Sequence, residues 1–232
     1  MLQQSAQQCL AEQIADRIAQ QIITGELLEG ERNPELRIAK EMQVSRGSVR
    51  EALLLLQRTH LIEIYPRRGA IVTEMSVEQV NQLFESCDML LSQLIQCFIY
   101  QHVSSEKQKF EQLELQLALH VKQMQSEQFY DLWFYFLLNH VGQFHNLYFA
   151  QFFQDLFPAL RRCYFLILNT SRRDLEETFN RIKWMIDAIL TQNLQQATLF
   201  MHDFCRHLRG LVLDSLTRMK QIELAWARRS RH

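Results

Sequence analysis

Residues 33–73 constrain this chain more than any other stretch. They read NPELRIAKEM, a short turn QVS, then RGSVREALLLLQRTH, then IEIYPRRGAIVTE. In the third piece Val49, Ala52, Leu53 and Leu56 recur at 3.6-residue spacing, so one face of that helix is buried. The opposite face carries Arg46, Gly47, Ser48 and Arg50 near its start. Ser45 sits just before the helix as an N-cap, where its hydroxyl can accept a hydrogen bond from an unpaired amide. In a helix-turn-helix, these first residues of the second helix reach base edges in the major groove of DNA. Arg46 and Arg50 suit forked contacts to guanine or a clamp on phosphate, and Gly47 lets the backbone come close.

Residues 62–64 and 70–73 have strand composition and flank Tyr65, Pro66, Arg67, Arg68 and Gly69. Gly69 permits a tight turn, and two adjacent arginines at its tip suit a wing lying against the duplex backbone. A generic helical hairpin with a solvated basic loop would account for any one piece. Helix, turn, helix and basic hairpin in this order point instead to a winged DNA-binding module.

The chain here resembles the GntR family of transcriptional regulators, and within it the FadR subfamily. The resemblance rests on GELLEGE (25–31), PELRIAKEMQVSRGSVREALLLLQ (34–57) and PRRGAIV (66–72). It implies DNA contacts at Arg46, Gly47, Ser48 and Arg50, and at the wing residues Arg67, Arg68 and Gly69. Leu36 stands where some members place an arginine, and Arg37 beside it is the candidate substitute.

The 232 residues suffice for two modest domains, and only six glycines and three prolines favour long helices with short connections. The formal net charge of −1 is unlike the broad basic footprint of many nucleic-acid binders. Basic groups cluster locally instead, so affinity is expected to depend on a homodimer engaging two half-sites. Five cysteines without a CxxC pair fit a reducing compartment rather than a disulfide framework. The polar opening MLQQSAQQCLAEQ and the lack of a membrane-length apolar run predict a soluble, cytoplasmic protein.

Residues 8–24 read as an opening helix with Leu10, Ile14, Ile18 and Ile22 as its apolar stripe. Ser76-Val77-Glu78-Gln79 has the form of a capping box, placing a boundary near residue 75. Helices are expected near 76–102, 105–126, 128–141, 145–168, 172–191 and 194–222, followed by a short basic, mobile tail. The expected fold is mainly α. Residues 1–75 would be a winged helix-turn-helix domain, 76–222 an all-helical effector and dimerisation domain, and 223–232 the tail.

In FadR-like regulators, the resemblance implies, the helical domain senses a ligand, and many members hold a metal through one aspartate and three histidines. Matched by surrounding residues, the aspartate is Asp131, while the histidine positions are Tyr135, Ile182 and Phe204. Isoleucine and phenylalanine cannot ligate a metal. No metal and no cofactor are expected. Cys87 stands where many relatives place an arginine that grips a carboxylate. His140 with His145, and His202 with His207, are five apart, a poor helical spacing for one metal.

A cavity around Cys87, Asp131, Tyr135, Ile182 and Phe204 would be apolar, suiting a fatty acyl or other hydrophobic effector. Aromatic residues filling a plain core is the competing reading, and with it a domain that only dimerises. Cys87, Cys163 and Cys205 would sense oxidants only if exposed and acidified; buried inert thiols are the alternative. No paired carboxylates, nucleophile–base set or phosphate-binding glycine loop points to an enzyme. The expectation is a ligand-responsive homodimeric repressor on a short pseudo-palindromic operator.

Overall fold

The structure, a computed structural model, describes residues 9–33, 35–141 and 146–229, with side chains described in these except at 33, 101–105 and 223–229. It divides into two compact units: residues 1–75 with 155–162, and residues 76–154 with 163–232.

The first unit begins with α1 (Leu10–Ile23), whose Ile14, Ile18 and Ile22 are each at most 2 % exposed. A two-residue strand β1 (Arg32–Asn33) leads to α2 (Glu35–Met42) and α3 (Arg46–Arg58). β2 (Ile62–Tyr65) and β3 (Gly69–Val72) then form a hairpin. The sheet order is β1-β3-β2, antiparallel throughout, with Ile62 opposite Val72 and Ile64 opposite Ala70. That register puts Ile62, Ala70 and Val72 on one inward face, where side chains two apart must lie. They join Val49, Ala52, Leu53 and Leu56 of α3, all at most 2 % exposed, in one core with α1. β1 has no sequence signal of its own. Its two residues pair through backbone groups with Ile71 and Ala70, which any residue but proline could do.

The rest of the chain is helical: α4 (Val77–Cys97), α5 (Val103–Gln123), α6 (Ser126–Val141), α7 (Leu147–Phe165), α8 (Arg172–Leu190) and α9 (Leu194–Arg229), all in the second unit except residues 155–162 of α7. The expected capping box is present: the Gln79 amide donates to Ser76 Oγ at 3.1 Å, and Gln79 Oε1 accepts from the Ser76 amide at 3.0 Å. Ser171 and Asp174 form a second one at α8. α9 packs against both α4 and α8, and α5 against α6 and α8. Trp133, Ile182, Met185, Met201 and Phe204 are buried in this core. Ion pairs tie its helices: Lys183 with Glu114, and Arg181 with Asp203 at 2.8 Å.

The break expected between residues 102 and 105 falls a few residues earlier, as a π-helical turn, Phe98–His102, at which the chain bends: the Phe98 ring packs 5.2 Å from that of Phe110, twelve residues on and about 18 Å away along a straight helix. One boundary is corrected: the last helix, expected to end at residue 222, runs on to Arg229. Residues 230–232 lie outside the described residues.

The first unit's core makes a quantitative prediction. Leu53→Ala deletes a side chain that is 2 % exposed and should cost about 2–5 kcal/mol. Urea unfolding of the full chain, followed in the first unit's amides, measures it.

Candidate nucleic-acid interface

The helix-turn-helix is shaped by a few backbone details. α2 ends where Gln43 takes a left-handed φ of 54°, and the Val44 amide returns to the Ala39 carbonyl at 3.0 Å. The chain can then restart as α3 after three residues. Ser45 caps it as expected: its Oγ accepts from the Ser48 amide at 3.1 Å and lies 2.9 Å from the Ser48 hydroxyl. The Ser48 hydroxyl is thus held within the turn.

With Val49, Ala52, Leu53 and Leu56 facing inward, α3 turns Arg46, Gly47, Arg50, Glu51 and Leu54 outward. Arg46 and Arg50 are exposed and make no ion pair or hydrogen bond among the described residues, so both guanidinium groups are free to meet a ligand. A Cβ built on Gly47 would meet only Ser45 Oγ, at 3.6 Å, so nothing within the protein demands glycine there. Its use would be to let a second surface approach. Glu51 and Leu54 were not singled out by sequence. Gly47, Glu51 and Leu54 follow i, i+4, i+7, and that spacing marks one outward stripe.

Arg37 is differently placed. Its guanidinium lies 3.2 Å from Glu31 and 3.4 Å from Glu41, two carboxylates of its own domain. Any contact to DNA from Arg37 would have to share it with these.

The wing turn is closed by the Arg68 amide donating to the Tyr65 carbonyl at 3.2 Å. Pro66 sits where its fixed φ is favoured, but the next position needs positive φ and holds Arg67 at 64°. Gly69 follows at 81° without penalty. Arg67 and Arg68 are exposed at the tip. The Tyr65 hydroxyl donates to the Glu63 carboxylate, and this hydrogen bond raises the phenol pKa, with the Glu63 charge adding to it.

Left-handed backbone at a non-glycine residue costs about 1–2 kcal/mol. The turn therefore carries strain at a residue whose side chain faces solvent. Arg67→Gly should leave stability unchanged or raise it by up to about 1 kcal/mol, whereas the β-branched Arg67→Val should lower it. Thermal unfolding of the two variants distinguishes them.

In the second unit, Asp131 accepts from the Tyr164 hydroxyl at 2.5 Å. The Tyr164 ring stacks on Phe134 at 5.0 Å, and Trp133 meets Phe204 edge-on at 5.7 Å. Ile182 and Phe204 are 0 and 1 % exposed, so the positions around them are filled by side chains. Tyr135, by contrast, is 39 % exposed. No described hydrogen bond or ring contact joins Cys87 or Ile182 to Asp131. Burial pushes the Cys87 thiol up to about 12 and raises Cys205 as well, which disfavours the reactive thiolates.

Among the described residues, no three His, Cys, Asp or Glu side chains are placed to hold a metal ion. His202 pairs with Asp88 at 2.7 Å and His207 with Thr178 at 2.9 Å, while His145 lies outside the described residues. A half-open groove of about 280 Å³ between α4 and α9 is lined by Phe84, Glu85, Asp88, Leu199, His202, Cys205, Arg206 and Arg209. Sequence reasoning missed it, because its walls come from residues more than a hundred positions apart. Among the described residues, no helix is long and apolar enough to cross a membrane.

Residues 10–72 match the family model of bacterial regulatory proteins, gntR family. The Bacillus subtilis (strain 168) "Uncharacterized HTH-type transcriptional regulator YdhC" is 30 % identical over 73 residues, which are 32 % of this chain and 33 % of that protein. The chain thus aligns with about a third of this curated relative's length. Two solved structures share the fold over nearly the whole chain. E. coli McbR/YncC has a TM-score of 0.74 at 15 % identity, covering 90 % of this chain and 99 % of that one. A Rhodococcus sp. RHA1 protein assigned as a GntR transcriptional regulator has a TM-score of 0.68 at 15 % identity, covering 88 % and 97 %. Residues 10–72 of this chain therefore fold as a winged helix-turn-helix that matches the gntR-family model, and a helical C-terminal domain follows.

Proposed function

We propose that this chain is a DNA-binding transcriptional regulator of the GntR family, acting as a homodimeric repressor on a short pseudo-palindromic operator. One observation carries the reading. α3 buries one face in the core and leaves the guanidinium groups of Arg46 and Arg50 unpaired on the exposed side of its first turn. Such groups read guanine edges by forked hydrogen bonds, while Arg67 and Arg68 on the wing supply phosphate contacts. The local basic cluster in a chain of net charge −1 supports a dimer, because two half-sites multiply a modest single-site affinity.

The helical unit is read as FadR-like, with effector binding or dimerisation as its task. The donor set at Asp131, Tyr135, Ile182 and Phe204 does not fit a metal. The close packing of Trp133, Phe134 and Phe204 favours dimerisation over an apolar effector at that place. A second reading rests on the α4–α9 groove, where Arg206 and Arg209 have no ion-pair partner among the described residues. A carboxylate-bearing effector would meet these arginines, with Phe84 and Leu199 against its apolar part. Native mass spectrometry of the fresh protein separates the two: a co-purifying carboxylic acid supports the groove, and a bare dimer supports dimerisation alone.

The DNA reading is tested by selection from a random duplex pool with the full chain. The wild type should enrich a short palindrome. Arg46→Ala and Arg50→Ala should each weaken that site roughly tenfold or more while leaving the oligomeric state unchanged. A pool without enrichment, or variants with wild-type selectivity, would sink the proposal.

A further inference from the structure

The second unit holds a buried charged cluster that the proposed function does not use. Glu106, on the first turns of α5, is 8 % exposed, and His140, near the end of α6, is 5 % exposed. His140 Nδ1 lies 2.7 Å from the Phe136 carbonyl oxygen, and Nε2 lies 3.1 Å from the Glu106 carboxylate. A carbonyl oxygen only accepts, so Nδ1 carries a proton. An ionised carboxylate only accepts as well. Burial acts most strongly on Glu106 and raises its pKa, yet hydrogen bonds from Lys109 (2.9 Å) and His140, with their charges, bring it below the usual value. Glu106 is therefore ionised, and Nε2 must donate too. Only the doubly protonated imidazolium satisfies both contacts.

The ring is enclosed by apolar surface. The Phe136 ring lies 4.1 Å from the His140 ring, centroid to centroid, and Phe98 of the π-helical turn lies 5.2 Å away. Phe110 of α5 packs 5.2 Å from both Phe98 and Phe136. Among the described residues, Glu106 and, through it, Lys109 are the charged groups that face the ring.

We propose that Lys109, Glu106 and His140 form a proton-dependent fastening between α5 and α6, closed while the imidazole carries two protons and opened when one leaves. Loss of the Nε2 proton to solvent base sets a lone pair against the carboxylate. Loss of the Nδ1 proton sets one against the Phe136 carbonyl. Either way a buried contact turns repulsive where water cannot screen it. The sign follows for Glu106. The Glu106 contribution, with its lowered pKa, is present above the usual carboxylate range and is lost as pH falls through the folded value. The fastening therefore opens on the acid side when Glu106 takes up a proton, and it opens whenever the ring gives up one of its two.

The test is a long-range proton–nitrogen correlation spectrum of the imidazole rings in the 15N-labelled full chain, titrated from about pH 6 to about pH 9. Amide exchange is followed in parallel. At the acid end both His140 nitrogens should be protonated. When one proton leaves, protection of residues 103–110 and 136–141 should fall together, roughly tenfold per pH unit beyond intrinsic exchange. Glu106→Gln gives Nε2 an amide donor in place of the carboxylate, so a neutral ring fits and this pH dependence should flatten. A singly protonated ring with both contacts intact throughout, or protection that ignores the ring's titration, overturns the proposal. If Glu106→Gln does not fold, the wild-type titration alone decides.

Discussion

The burial of one face of α3 is the constraint on which the DNA-facing part of this molecule depends. Val49, Ala52, Leu53 and Leu56 leave at most 2 % of their surface to water, against α1 and the inward residues of the sheet. Fixing that face fixes the opposite one. Arg46, Gly47, Arg50, Glu51 and Leu54 are outward because the helix has no freedom to roll without exposing four apolar side chains. Ser45 sets where the helix begins, and the sheet register sets where the wing turn falls. The candidate interface is thus the outside of a core, and its precision is that of the packing behind it.

The second unit spends its polar residues differently. Its helix ends are capped by serine and asparagine side chains, and its ionic contacts link one helix to another: Lys183 to Glu114, Arg181 to Asp203, His202 to Asp88, His140 to Glu106. Each links two different helices, so each specifies how the helices lie against one another as well as adding stability. The aromatic groups around Trp133 and Phe204 fill the space between them. In such an interior a ligand must displace side chains, whereas the α4–α9 groove is already open.

Local signals carried much of the fold. The 3.6-residue spacing in α3 and the Ser45 and Ser76 caps act within a few residues, and all are present as expected. The sequence-based reading failed where no local signal exists. β1 is held only by backbone pairing to β3. The π-helical turn Phe98–His102 bends the chain between α4 and α5 a few residues before the expected break. α9 extends to Arg229 past residues that look like a solvated tail.

The sequence by itself determined the α-helices, the wing hairpin and the apolar face of α3, because periodicity and capping chemistry are written in neighbouring residues. It determined that arginines stand at the start of α3 and in the wing turn. Tertiary structure decided which charges find partners. Arg37 is held by Glu31 and Glu41 while Arg46 and Arg50 are not, and His140 meets Glu106 thirty-four residues away. Tertiary structure also decided that Ile182 and Phe204 are filled-in core while Arg206 and Arg209 border open space. Such outcomes depend on distances between elements, and a linear pattern does not encode distances across a fold.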